Sequence, residues 1–151
     1  RTIMTSCSPA QARRLWNSVA QELEPVSVEG KARWFLSADR DALAHPCGPQ
    51  ERLLLLGPHD PYLDTRDRDV LLPDKALQKL VWRTVGNPGA VVLDGRISGV
   101  WTARTVRDRL ELSVTAWQAF SARQQSMLEI RAQEYAAFRG LSLLKYTLED
   151  G

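Results

Sequence analysis

The 151-residue chain has only two cysteines, Cys7 and Cys47, and no CxxC pair. Thiols this sparse exclude a disulfide-stapled scaffold and a thiolate zinc knuckle, and point to a reduced, cytoplasmic protein. Long apolar runs are missing as well. The longest run of leucines is LLLL at residues 53–56, far short of the ~18 residues of a membrane span, so no membrane partner is expected. An excess of charge of one sign is also lacking. The net charge is +2, which excludes a domain-wide basic field and leaves only a local patch as a route to polyanions. The two histidines, His45 and His59, and the two cysteines do not stand at metal-ligand spacing, so no metal is expected. No Walker loop, GxGxxG, GxSxG or HExxH occurs, which leaves nucleotide hydrolysis, dehydrogenase and zincin chemistry without support; no cofactor is expected. No signal peptide is expected. The opening RTIM is neither an initiator methionine nor a tag, and the chain is expected to be a piece of a longer protein.

What is present reads as a folded α+β chain. Apolar residues make up 44% and five tryptophans are spread from Trp16 to Trp117, enough to bury a core without staples at this length. Ser8, Pro9 and Gln11 form a helix start with a capping box. Ala12, Leu15, Trp16, Val19 and Leu23 then recur at helical spacing, up to a stop at Pro25. Val26, Val28, Trp34 and Leu36 flank Glu29-Gly30 and predict a β-hairpin. A helix followed at once by a hairpin is the second half of a winged helix, with the helix as recognition helix and the hairpin as wing. A short helix is expected over residues 39–44. The breaker-rich HPCGP at residues 45–49 is the candidate boundary between a partial winged-helix segment (1–45) and a β-rich domain (50–151).

In the second part, residues 53–56 read as a buried strand, and His59 to Tyr62 as a tight turn. Asp74 caps a helix over residues 75–82. Residues 90–93 and 96–101 form a hairpin about the Asp94-Gly95 turn. Residues 110–116 alternate as a half-buried strand, which completes an antiparallel meander of at least four strands. A helix spans residues 121–139 and stops at Gly140, with Met127, Ile130, Ala137 and Phe138 on its apolar side. Residues 141–146 form a last strand. The expected architecture is a barrel-like domain closed by the C-terminal helix.

Several stretches carry a family resemblance. LLLLGPHDPYL (53–63), RDR (66–68), LPDK (72–75), NPGAVVLDGR (87–96) and GVW (99–101) occur in one order, and ARWFL (32–36) fits upstream. They resemble the actinobacterial-type winged-helix DNA-binding proteins that include the AlkZ-like DNA glycosylases, and this chain resembles their C-terminal part. The resemblance implies tandem winged helices, a β-rich C-terminal region and double-stranded DNA as partner. It also implies a hydrolase-type repair activity that excises alkylated or crosslinked bases. The family's catalytic Gln-x-Gln or Gln-x-Asp motif is absent here, since Gln118, Gln124 and Gln125 lie in the wrong region and at the wrong spacing. No catalytic residue is therefore assigned to this chain. A non-catalytic DNA-binding regulator and a scaffold domain stand as alternatives.

Candidate DNA contacts are Arg13, Arg14, Lys31, Arg33 and Arg66. Cations on one exposed face supply the sequence-independent part of duplex affinity. Arg66 belongs to an alternating RDRD stretch whose charges either pair with each other or form a DNA-facing edge. His59 and Asp60 suggest a catalytic or metal pair less well than a turn capped by the Asp60 carboxylate. Trp101 and Trp117 read as core residues rather than base-stacking platforms, and Gly99 as a bulge or close approach.

Overall fold

The computed structural model describes residues 8–28, 30–46, 48, 51–64 and 68–151. The chain divides into two compact units, Arg1–Gly48 and Pro49–Gly151.

In the first unit, helix α1 (Pro9–Val19) begins with a reciprocal cap. The Ser8 hydroxyl accepts from the Gln11 amide at 3.3 Å and the Gln11 side-chain oxygen accepts from the Ser8 amide at 2.8 Å. Two N–H groups that a helix start leaves unpaired are thus satisfied. The helix does not continue to Pro25 as expected. It ends at Val19, a 3-10 turn follows at Ala20–Glu22, and Leu23 already belongs to strand β1 (Leu23–Val28). Pro25 sits inside that strand because β1 pairs on one side only, with β2 (Lys31–Leu36), so its missing N–H costs no ladder bond on the open edge. The register runs from Leu23 opposite Leu36 to Val28 opposite Lys31. Gly30 closes the turn at φ +75°, a conformation that favours glycine; Glu29 lies outside the described residues. A second 3-10 turn (Ser37–Asp39) leads to α2 (Arg40–Ala44). None of the described residues of this unit is buried. Helix and hairpin meet where the Trp16 and Trp34 rings stand edge to face, centroids 5.5 Å apart at 83°.

The second unit is a five-stranded sheet in the order β3-β4-β5-β6-β7. Strands β3 (Leu53–Leu56), β4 (Gly89–Leu93), β5 (Arg96–Val106) and β6 (Arg109–Ala116) form the expected antiparallel meander. Helix α5 (Ala122–Phe138) then carries the chain back to β7 (Ser142–Asp150), which runs parallel to β6. A parallel neighbour needs such a crossover, because a short turn reverses direction. The barrel expectation is corrected: among the described residues no ladder joins β3 to β7, and the sheet is open.

Both faces of the sheet are covered around β4. One face packs on α5 through Leu53, Val91, Trp101, Leu112, Val114 and Leu128. The other packs on α3 (Arg68–Leu71), α4 (Lys75–Val81) and their flanks through Leu63, Leu71, Val81, Val92, Ile97 and Val100. This explains why β4 is buried at every position, whereas β6 alternates buried and more exposed residues. Each large apolar side chain fully withdrawn here contributes about 1.5–3 kcal/mol.

Helix α5 turns a different side inward than its larger apolar residues suggest. Leu128, Ala132 and Ala136 are buried, at i, i+4 and i+8, while Ile130 is 51% and Phe138 85% exposed. Small residues at 132 and 136 let the helix backbone approach the sheet, and Arg131 reaches the Leu53 carbonyl from the helix flank at 3.1 Å.

Candidate nucleic-acid interface

Helix α1 and the hairpin carry four of the five predicted contact residues. Alternation along paired strands puts directly opposite residues on one face. Lys31 (opposite Val28) and Arg33 (opposite Val26) therefore share a face of the hairpin. Trp34, which meets Trp16, belongs to the other face. Arg33 is half-buried and its guanidinium donates to the Ala32 carbonyl at 3.0 Å, while Lys31 is exposed.

On α1 both arginines are exposed but diverge. At about 100° per residue, Arg13 stands about 60° and Arg14 about 160° round the helix from Trp16. Alternation thus places Lys31 and Arg33 on the hairpin face opposite the one that carries Trp34, and the Trp16–Trp34 contact joins that other face to α1. Arg66 lies outside the described residues. The RDR stretch continues into α3, where Arg68 stacks on the Trp82 ring, 4.7 Å from its centroid. Spacing alone did not expose this residue, because Arg68 and Trp82 are far apart in sequence.

No group of three metal-capable side chains occurs among the described residues, and none of their helices is long and apolar enough to cross a membrane. Two open clefts mark the second unit. One, of about 320 Å³, is lined by Leu72, Leu77, Arg96, Ser98, Trp117 and Gln118. The other, of about 250 Å³, lies between Asn87, Gly89, Trp101, Thr102 and Tyr135. Neither brings together a nucleophile and a base or a pair of carboxylates, which acid–base or covalent chemistry would need.

The profile of the family described as DNA glycosylase AlkZ-like matches residues 3–138. The chain belongs to the AlkZ-like DNA glycosylase family. It is 32% identical over 145 residues to the interstrand DNA cross-link repair glycosylase of Streptomyces sahachiroi, a match that covers 93% of this chain and 37% of that protein. The solved structure of the S. sahachiroi DNA glycosylase AlkZ superimposes with a TM-score of 0.71 at 30% identity, over 96% of this chain and 38% of that one. The chain therefore spans little more than a third of the length of the relative it matches.

Two of the stretches that resemble this family, 53–63 and 87–96, form one brace in the fold. Asp60 Oδ1 accepts from the Tyr62 amide at 2.9 Å and so holds the turn after β3. The Tyr62 hydroxyl donates to the Gly95 carbonyl in the β4–β5 turn at 2.9 Å. In that turn Asp94, at φ +48°, accepts from the Arg52 amide at 2.9 Å through its carboxylate. His59 is exposed and stands beside this brace, with the Asp60 carboxylate engaged in the turn. Gly99 serves both expected ends. The β4–β5 register slips beside it, so that Val91 faces Gly99 and Val92 faces Ile97, and a Cβ on Gly99 would stand 2.5 Å from the Thr115 carbonyl of β6. The extra residue, Ser98, offers its carbonyl to the Trp117 amide at 3.0 Å. Trp101 is buried at 5% exposure and Trp117 is half-buried, so Trp101 is core and presents no face for a base to stack on.

Proposed function

We propose that this chain is the duplex-contacting part of a DNA glycosylase that acts on alkylated or crosslinked bases. In this reading α1 and the β1–β2 hairpin are the recognition helix and wing of a winged helix. Arg13, Arg14, Lys31 and Arg33, with Arg66, contact backbone phosphates of double-stranded DNA. The observation that carries the reading is the first unit: a helix and a hairpin joined by Trp16 against Trp34, with Lys31 and Arg33 on one face of the hairpin. Backbone neutralisation by such cations supplies most of the affinity that is independent of sequence. Family membership supports DNA as the partner.

Base excision requires the target nucleotide to leave the stack and enter a pocket with catalytic polar groups. Neither of the two clefts described above holds such a set. In this reading excision belongs to the whole protein, with this chain as duplex contact and scaffold. The two-part organisation, a partial winged-helix segment at 1–45 and a β-rich domain at 50–151, is part of the same proposal.

The test is binding of the chain to a short labelled duplex across a salt series. Steeply salt-dependent binding that Arg13→Ala with Arg14→Ala weakens is the expected result. A folded chain that fails to bind at low salt would sink the reading and leave the second unit as a protein-interaction scaffold.

A further inference from the structure

The second unit carries exposed cations that the proposed contact set, whose one member there is Arg66, leaves unused. From Val70 to Leu93 the one acidic residue is Asp74, against Lys75, Lys79 and Arg83. Its carboxylate is committed to the start of α4, where it accepts from the Ala76 amide at 2.7 Å and the Leu77 amide at 3.3 Å. Just before this stretch, Asp69 takes the Lys75 ammonium and the Gln78 amide. These two acids are thus engaged, and three exposed cations remain, Arg68, Lys79 and Arg83; the other described acid nearby is the exposed Asp64, which follows the Leu63 carbonyl that accepts from the Trp82 indole N–H.

All three lie about the end of α4: Lys79 stands in its last turn, Arg83 follows the C-cap residue Trp82, and Arg68 lies over the Trp82 ring. A cation–π contact of this kind uses none of the guanidinium's N–H donors, which stay available to an acceptor such as a phosphate. The side chain is also held before any ligand arrives, which lowers the ordering cost of binding. Arg83 Nε donates to the Leu80 carbonyl at 3.0 Å, so this cation too is fixed near the helix end. Lys79 has no ion pair among the described residues.

We propose that the Arg68–Lys79–Arg83 surface is a second phosphate-binding face, contacting the backbone of double-stranded DNA from the second unit. The proposal rests on the reading of the chain as a duplex-contacting protein and adds a surface that the helix–hairpin reading does not include. Two anchored cations and one exposed lysine suit a polyanion read by its charge rather than by its sequence.

The experiment is fluorescence anisotropy of a labelled duplex with the full chain, titrated from low to moderate salt. The parent is compared with Lys79→Gln, with Arg68→Gln/Lys79→Gln/Arg83→Gln, and with Arg13→Ala/Arg14→Ala. The slope of log affinity against log salt is expected to become shallower by about 0.9 for each phosphate contact removed. Lys79→Gln makes no new unpaired buried group and guards against a folding artefact, as does Arg68→Lys, which should keep the charge but lose part of the affinity through the missing fork. An unchanged slope in Lys79→Gln and in a triple variant that still melts like the parent would overturn the proposal, while a reduced slope in the α1 variant would leave the function reading intact. A parent that binds no duplex removes both. Weaker binding to phosphatidylserine vesicles with unchanged duplex binding would also overturn it.

Discussion

The Trp101 indole N–H donates to the Leu56 carbonyl at 2.9 Å, reaching from β5 across β4 to β3. Gly89 is the β4 residue that lets it pass. A Cβ there would stand 2.3 Å from the indole and 2.6 Å from the same Leu56 oxygen, and one of these contacts is with backbone, which cannot swing aside.

Gly89→Ala should therefore destabilise the second unit by about 2 kcal/mol or more, in the range of overpacked cores. Gly57→Ala is the matched control, since a Cβ at Gly57 meets nothing within 4 Å, and it should leave stability within about 0.5 kcal/mol. Urea unfolding followed by tryptophan fluorescence measures both. Equal midpoints would show that the Gly89 site has room to relax.

Asp74→Ala should cost about 1 kcal/mol, the usual loss on removing an N-cap carboxylate. The Asp74 side chain satisfies two amides of α4, and Asp74→Ser should retain most of the effect. Thermal unfolding of the three proteins orders them.

The inward side of α5 separates two readings of its sequence. Ile130→Ala and Phe138→Ala should change stability little, since those side chains are 51% and 85% exposed. Ala132→Leu should cost about 1–3 kcal/mol by forcing a larger side chain against the sheet, Ala132 being at 0% exposure. A large loss for Phe138→Ala in denaturant unfolding would restore the side first expected from the apolar spacing.

In the first unit, the Trp16–Trp34 contact is open to a double-mutant cycle. Trp16→Ala, Trp34→Ala and the double variant should show a coupling of about 0.5–1.5 kcal/mol, the range for edge-to-face aromatic pairs. A coupling of zero would mean that helix and hairpin are held by something other than these rings.

Lys31→Gln with Arg33→Gln, which share a face of the hairpin, should lower the salt slope of duplex binding as a pair, by up to about 1.8 for two phosphate contacts. Arg14→Gln, on the far side of α1 from Trp16, tests whether the helix contacts DNA by that side as well. Anisotropy titrations at several salt concentrations report each separately.

Much of this was legible in the amino-acid order because it depends on short-range chemistry. Ser8 with Gln11, Asp74 before α4, Ser121 before α5, and the glycines at 30, 95 and 140 act on backbone groups a few residues away. Alternation along β6 and the unbroken apolar β4 likewise announce a strand with one open face and a strand with none. Several of the family stretches fall in the same class: HDPY (59–62) holds a turn, LPDK (72–75) carries the cap of α4, and VVLDGR (91–96) a strand and its turn.

Tertiary structure alone decided the rest. Pro25 stops a helix by local rules, yet sits in β1 because an edge strand leaves its nitrogen unpaired without cost. The inward side of α5 follows how closely the helix approaches the sheet, and so favours Ala132 and Ala136 over the larger Ile130 and Phe138. Whether a strand array closes is a matter of pairing between β3 and β7, far apart in sequence, and here the array stays open. Arg68 over Trp82 and Trp16 against Trp34 are likewise joined only by the folded chain. A one-dimensional pattern sets which groups can satisfy their near neighbours; which distant groups meet depends on packing, and packing is fixed by the whole chain at once.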